Sequence, residues 1–217
     1  MKKFELNIFI LFVICVILLS FTVTLASLPL TGKVIYIDIG HGGVDPGSTV
    51  GNIYEKDINL KIGLALEKEL IKMGATVYTI RDGDYDLGSP NSLYRKKSDF
   101  DHRISLINAS DADFYVSIHL NFLEDSRYSG AQVFYDNNFE INKLMAESIQ
   151  SYLNNSLKTN RVTKKIPGKT YMYSKLEKPG ILIECGFLSN YAERNLLNTE
   201  EYQNKIAKLI AESFAKF

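Results

Sequence analysis

The sequence predicts an α/β domain with a mainly parallel, mixed central sheet and helices on both faces, and three observations carry that prediction. β-rich apolar runs alternate with amphipathic segments of helix length along residues 33–217. Two of those runs, ending near His41 and His119, give way directly to loops, as buried strands of an open α/β sheet do. No internal repeat and no second module interrupts the pattern, so one domain accounts for it.

The elements follow in order. Lys33 to Ile39 is a β-rich run that enters the glycine cluster Gly40 to Gly43, and it reads as the first buried strand, after a short linker at 28–32. From Glu55 to Met73 the apolar residues Ile58, Ile62, Leu66, Leu70 and Met73 recur at helical spacing, with Gly74 as the stop. Ala75 to Arg81 is a second strand. Asp82 to Ser98, crowded with Asp, Gly, Ser, Pro and Asn, is expected to be a loop. A helix near Phe100 to Ala109, strands at Phe114 to Leu120 and Ala131 to Tyr135, and an amphipathic helix Glu140 to Leu157 come next. The last part holds a strand about Tyr171 to Ser174, a buried strand Ile181 to Cys185 and a helix Thr199 to Phe217, with Asn198 and Glu201 as its capping pair.

With 217 residues, 46% of them hydrophobic, the chain can bury one substantial core. Its 25 basic and 25 acidic residues are mixed along the length, which argues against a nucleic-acid partner, because phosphate binding needs a clustered basic excess. The basic stretches Arg95 to Lys97 and Arg161 to Lys165 read as solvated loop faces. Lys2 and Lys3 precede an uncharged apolar run, Ile8 to Ala26, so residues 1–27 are expected to be a signal peptide or a membrane anchor. Thr24-Leu25-Ala26 offers a cleavage site. Cys185 is the only thiol beyond that segment, which leaves the domain to its core rather than to a disulfide.

The chemistry is expected where strands end. His41, in Asp38-Ile39-Gly40-His41-Gly42-Gly43, and His119 both sit at such an edge, and Glu55 opens the helix that follows the first strand. Two imidazoles and a carboxylate suit a tetrahedral zinc with one open position, although by spacing Asp38, Asp45 and Glu124 are rival ligands. Glu184, near the end of an apolar strand, is a carboxylate that must face a site or find a basic partner, and a metal hydrolase needs such a proton carrier. Cys185 points to the opposite strand face, and a serine triad would have only His102. Neither Gly-x-Ser-x-Gly nor His-Glu-x-x-His occurs.

Four ordered blocks then carry a resemblance: Asp38-Ile39-Gly40-His41-Gly42-Gly43 with Asp45-Pro46-Gly47; Glu55; Ser117-Ile118-His119-Leu120-Asn121; and Pro179-Gly180-Ile181-Leu182-Ile183-Glu184-Cys185-Gly186-Phe187-Leu188-Ser189-Asn190. From Lys33 to Phe217 the chain resembles the zinc-dependent class three N-acetylmuramoyl-L-alanine amidases. The resemblance implies a Zn2+ held by His41, Glu55 and His119, Glu184 as catalytic acid and base, and cleavage between the lactyl group of muramic acid and L-alanine in peptidoglycan. It offers Arg103 and Asn121 as substrate-binding residues, Arg103 being equally suited to pinning a helix. The Tyr94 to Asp99 segment points to a sporulation-linked branch, which removes stem peptides from the spore cortex ahead of muramic-δ-lactam formation. Such a protein would work on the wall side of the membrane, between the forespore membranes, with a regulatory or recruiting protein as a partner. Ile39 departs from the proline common before Gly-His. Because residues 121–183 hold no surplus helix, the site is expected to be uncovered. A zinc peptidase cutting elsewhere in the stem, and a non-catalytic wall-binding module, are the competing readings.

Overall fold

In a computed structural model, residues 7–17, 28–168 and 170–217 are described. Six strands form one sheet in the order β4-β1-β5-β8-β6-β7, with β1 at Val34–Ile39, β4 at Thr76–Thr79, β5 at Phe114–Asn121, β6 at Gln132–Tyr135, β7 at Lys164–Lys165 and β8 at Gly180–Phe187. β4, β1, β5 and β8 run parallel, and β6 is antiparallel to β8. The central strands are mostly buried apolar residues because both faces are covered, with polar side chains at Asp38, Ser117, His119 and Glu184. Neighbouring residues of β1 show how. Ile39 lies against Gly63 of helix α1 (Glu55–Lys72), so closely that a Cβ at Gly63 would come within 2.5 Å of it. Asp38, pointing the other way, bonds Arg103 of α2 (Arg95–Ala109). The two helices therefore cover opposite faces. Helix α3 (Glu140–Leu157) packs on β6 and β8, and α5 (Glu200–Phe214) packs on α1 and α3. The outer strand β7 is two exposed lysines, which blunts the sheet edge against further pairing.

Three expectations need correction. The helix expected from Phe100 starts at Arg95, so Arg95 to Lys97 is a first helical turn and not a loop face. Ion pairs from Arg95 to Asp86, Lys96 to Asp45 and Lys97 to Asp101 hold that turn where apolar periodicity is missing. Tyr171 to Ser174 is no strand: Tyr173–Lys175 is a 3-10 turn lying over the sheet, anchored by Tyr171 Oη on Asp101 and Tyr173 Oη beside Ser117 Oγ at 3.1 Å. Asn198 ends a short helix, α4 (Tyr191–Leu197), and Thr199 caps α5 instead, accepting from the Tyr202 amide. A short hairpin, β2 (Thr49–Val50) and β3 (Ile53–Tyr54), also precedes α1.

The 28–32 stretch is tied down, since Leu30 is buried and its amide donates to Met73 O at 2.9 Å. Residues 7–17 are helical and exposed, and among the described residues no helix is long and apolar enough to cross a membrane. The expected cleavage site Thr24-Leu25-Ala26 lies outside the described residues.

Candidate metal centre and catalytic cleft

His41, His119 and Glu184 stand at the C-terminal ends of three adjacent parallel strands, where an open α/β sheet places its sites. Glu55 joins them from the first residue of α1.

His41 has a left-handed backbone, φ 62, which costs a non-glycine residue on the order of 1 kcal/mol. Two buried arginines brace the backbone that leads into it. Arg103 donates to the carbonyls of Ile39 and His41, each at 2.8 Å, and Arg81 donates to those of Ile39 at 3.2 Å and Gly40 at 3.1 Å. Gly40 is required by contact: a Cβ on it would lie 2.3 Å from the His119 ring. Asp45 Oδ2 is 2.9 Å from His41 Nδ1, which orients the imidazole and leaves Nε2 for the site. Burial opposes the imidazolium, but Asp45 and Glu55 outweigh it and raise His41 to about 9.

Glu55 Oε1 lies 3.1 Å from both His41 Nε2 and His119 Nδ1. Its carboxylate also accepts the amides of Ser48 at 2.8 Å and Leu120 at 3.0 Å. Burial pushes its pKa up, yet His119 and His41 win and hold it far below the usual carboxylate range. The two imidazole rings meet edge to face, with centroids 4.9 Å apart. One ligand atom from each of the three residues lies within 4.8 Å of the others, the only such group among the described residues. A tetrahedral zinc with bonds of ~2.0–2.1 Å has ligand atoms about 3.3 Å apart. The 3.1 Å separations match that edge, and the donor set is the one zinc takes in hydrolases.

Glu184 is the register partner of His119 on β8. Its Oε2 is enclosed without a hydrogen-bond partner. Burial, with Glu55 adding repulsion against the pull of His119 and His41, raises this carboxyl to about 7. Cys185 faces the core, and burial pushes its thiol well above the ordinary range, so it is no nucleophile. His102 points outward from α2, its Nδ1 against Ser98 O.

The rival ligands are accounted for. Asp38 is buried between Arg103 Nη1 at 2.7 Å and Ser117 Oγ at 2.5 Å, Asp45 serves His41, and Glu124 is exposed on the loop after β5. Arg103 is 2% exposed, and it spends its donors on Asp38, Asp99 and the two carbonyls, so it braces the His41 loop from inside. Asn121 lines the cleft beside Leu120 and Phe122. Sequence reasoning missed Arg81 altogether, and it weighed Asp45 only as a ligand. A carboxylate four residues beyond a glycine-loop histidine was the available signal for Asp45; Arg81 had none, because its partners are backbone atoms distant in sequence.

Comparison with known proteins gives the family. The family model for N-acetylmuramoyl-L-alanine amidase matches residues 35–216. The chain is 42% identical over 195 residues to the germination-specific N-acetylmuramoyl-L-alanine amidase of Bacillus subtilis strain 168, covering 88% of this chain and 82% of that one. Among solved structures it is similar to the CwlD amidase from Clostridioides difficile in complex with the GerS lipoprotein, with TM-score 0.80 and 38% identity over 85% of this chain and 98% of that one. An N-acetylmuramoyl-L-alanine amidase from Clostridium difficile 630 follows with TM-score 0.74 and 30% identity over 85% and 95% of the two chains. The chain therefore belongs to the N-acetylmuramoyl-L-alanine amidase family, and the amide that joins L-alanine to muramic acid in peptidoglycan is the bond it cleaves.

Proposed function

We propose that the chain is a zinc-dependent amidase that strips stem peptides from peptidoglycan of the spore cortex. One observation carries the zinc assignment: ligand atoms of His41, Glu55 and His119 converge within 4.8 Å, beside a carboxylate whose enclosed oxygen has no partner. When bound, zinc supplies Lewis-acid polarisation of the scissile carbonyl and acidifies the attacking water. Glu184 takes the proton of that water and hands it to the L-alanine nitrogen as the amide breaks. Glu55 does not compete for the proton, because as a ligand its carboxylate would be committed to the metal, and it also accepts two backbone amides. Asp45 and Arg103 are positioning residues, one for the His41 ring and one for its backbone. Asn121, which lines the cleft, would contact substrate.

The cortex role is supported by the likeness to a germination-specific relative. The solved CwlD–GerS complex supports a protein partner for this enzyme. The apolar run at 8–26 supports export or anchoring, with the domain on the wall side of the membrane. His41 and His119 keep 16% and 20% of their side-chain surface in solvent, which supports a site with no lid of its own. Digestion of cortex-type and vegetative peptidoglycan by protein of measured zinc content, with products read by mass, tests the reading. Muramic acid freed of peptide is the expected product. Peptide fragments still attached to muramic acid would sink it, and a zinc-saturated enzyme silent until a partner is added would sink the open site.

A further inference from the structure

Granted the amidase reading, on which this inference rests, the substrate is electrically lopsided. Its glycan half is uncharged, because the lactyl carboxyl is consumed in the amide, whereas the stem peptide carries free carboxylates. The cleft is lopsided as well. Lys96, in the first turn of α2, is the one lysine or arginine among the described residues lining it, and its side chain is 60% exposed. Its neighbours are committed elsewhere: Arg95 grips Asp86 at 2.9 Å and Lys97 pairs with Asp101 at 2.7 Å. Lys96 reaches Asp45 Oδ2 at 3.2 Å, an oxygen that His41 Nδ1 already contacts at 2.9 Å. An ammonium has three donors, so it can receive a second carboxylate without releasing the first.

The same wall holds a pocket of about 130 Å3, bounded by His41, His119, Phe100, Tyr171 and Met172, with most of its open lining apolar. The cleft is lined also by Phe122, 46% exposed, with Asn121 beside it at the end of β5, the amphipathic pairing that suits an uncharged sugar face. We infer that Lys96 is an anion subsite for a free carboxylate of the stem peptide, so that the peptide lies along the α2 wall and the glycan along the Phe122 wall.

The test uses the full chain with zinc present and two probes built on lactoyl-L-alanyl-D-glutamine, each with a ketomethylene in place of the scissile amide so that neither is cut, one with its single α-carboxylate free and the other with it capped as an amide. Calorimetric titration should show the acid binding about fivefold more tightly, the scale of a partly exposed charge-assisted contact. Lys96→Ala should bring the ratio near one, Lys96→Arg should keep it, Lys96→Glu should invert it, and added salt should shrink it. With matching muropeptides the same ratio should sit in KM, with kcat little moved. Equal affinity of the wild-type chain for both probes, binding of neither, or a Lys96→Ala chain that keeps the full preference would each overturn the subsite. If the preference holds while product masses place the cut elsewhere, the amidase reading fails and the subsite survives.

Discussion

Two glutamates in one cleft show what position does to a carboxylate. Around Glu55, at the start of α1, everything is satisfied: two imidazoles and two backbone amides converge on it, and its pKa is held far below the ordinary range. Around Glu184, beside His119 on β8, burial comes without bonds, one oxygen has no partner, and the carboxyl is raised to about 7. The same side chain is thus a permanent anion in one region and a group that can change protonation near neutrality in the other. Environments that push two like groups apart are how acid–base work and charge-holding work are divided between them.

The largest effect that could break this comparison is removal of the permanent anion. Glu55→Ala should abolish metal binding and lower turnover to background, measured as zinc per chain and as peptide released from peptidoglycan. Full zinc content in that variant would show that Glu55 is not a ligand. Glu184→Gln should instead keep zinc and lose about 10²–10⁴-fold in kcat, the usual share of a general acid–base group. A near-normal rate there would take the proton-carrying role from Glu184. A smaller effect should come from the residue behind His41: Asp45→Asn is expected to weaken zinc about 10–100-fold, as loss of a carboxylate behind a ligating histidine does. It is best measured by chelator competition above pH 9, where His41 is neutral and the proton no longer competes with the metal. Unchanged affinity would mean that the backbone clamps alone orient the ring.

How much of this was legible beforehand depends on how local the cause is. Helix α3 is bounded where its apolar spacing says, Glu140 to Leu157, because amphipathic packing on the sheet is what forms it. The first turn of α2 escaped notice because Arg95 to Lys97 carry no periodicity, and what orders them is Asp86, Asp45 and Asp101 brought up by the fold. Tyr171 to Ser174 has strand composition, yet its tyrosines bind side chains of α2 and β5 across the face of the sheet, and the backbone turns to let them. In the site, the residue types and their strand-end spacing were visible in His41, Glu55 and His119. The bracing of the His41 loop by Arg81 and Arg103 was not, since it joins residues about 40 and 60 apart in sequence through carbonyl oxygens that any residue possesses.

The contrast between the glutamates should also be readable in the pH profile. Glu184 works as a base only when ionised, so its contribution is full above its pKa and falls about tenfold per unit below it. Burial raises that pKa to about 7, and a bound cation would draw it back toward the ordinary glutamate value of about 4.3. The acid limb of kcat/KM should therefore have unit slope and a midpoint between those two values. Loss of metal at low pH would produce a limb of its own, because protons compete with the metal for its ligands. Zinc content measured at each pH separates the two: a limb that persists with zinc fully retained belongs to Glu184, and it should vanish in Glu184→Gln. If the rate at constant zinc content rises as pH falls through this window, the group that must change protonation is an acid in the free enzyme, and the roles of the two glutamates would have to be assigned again.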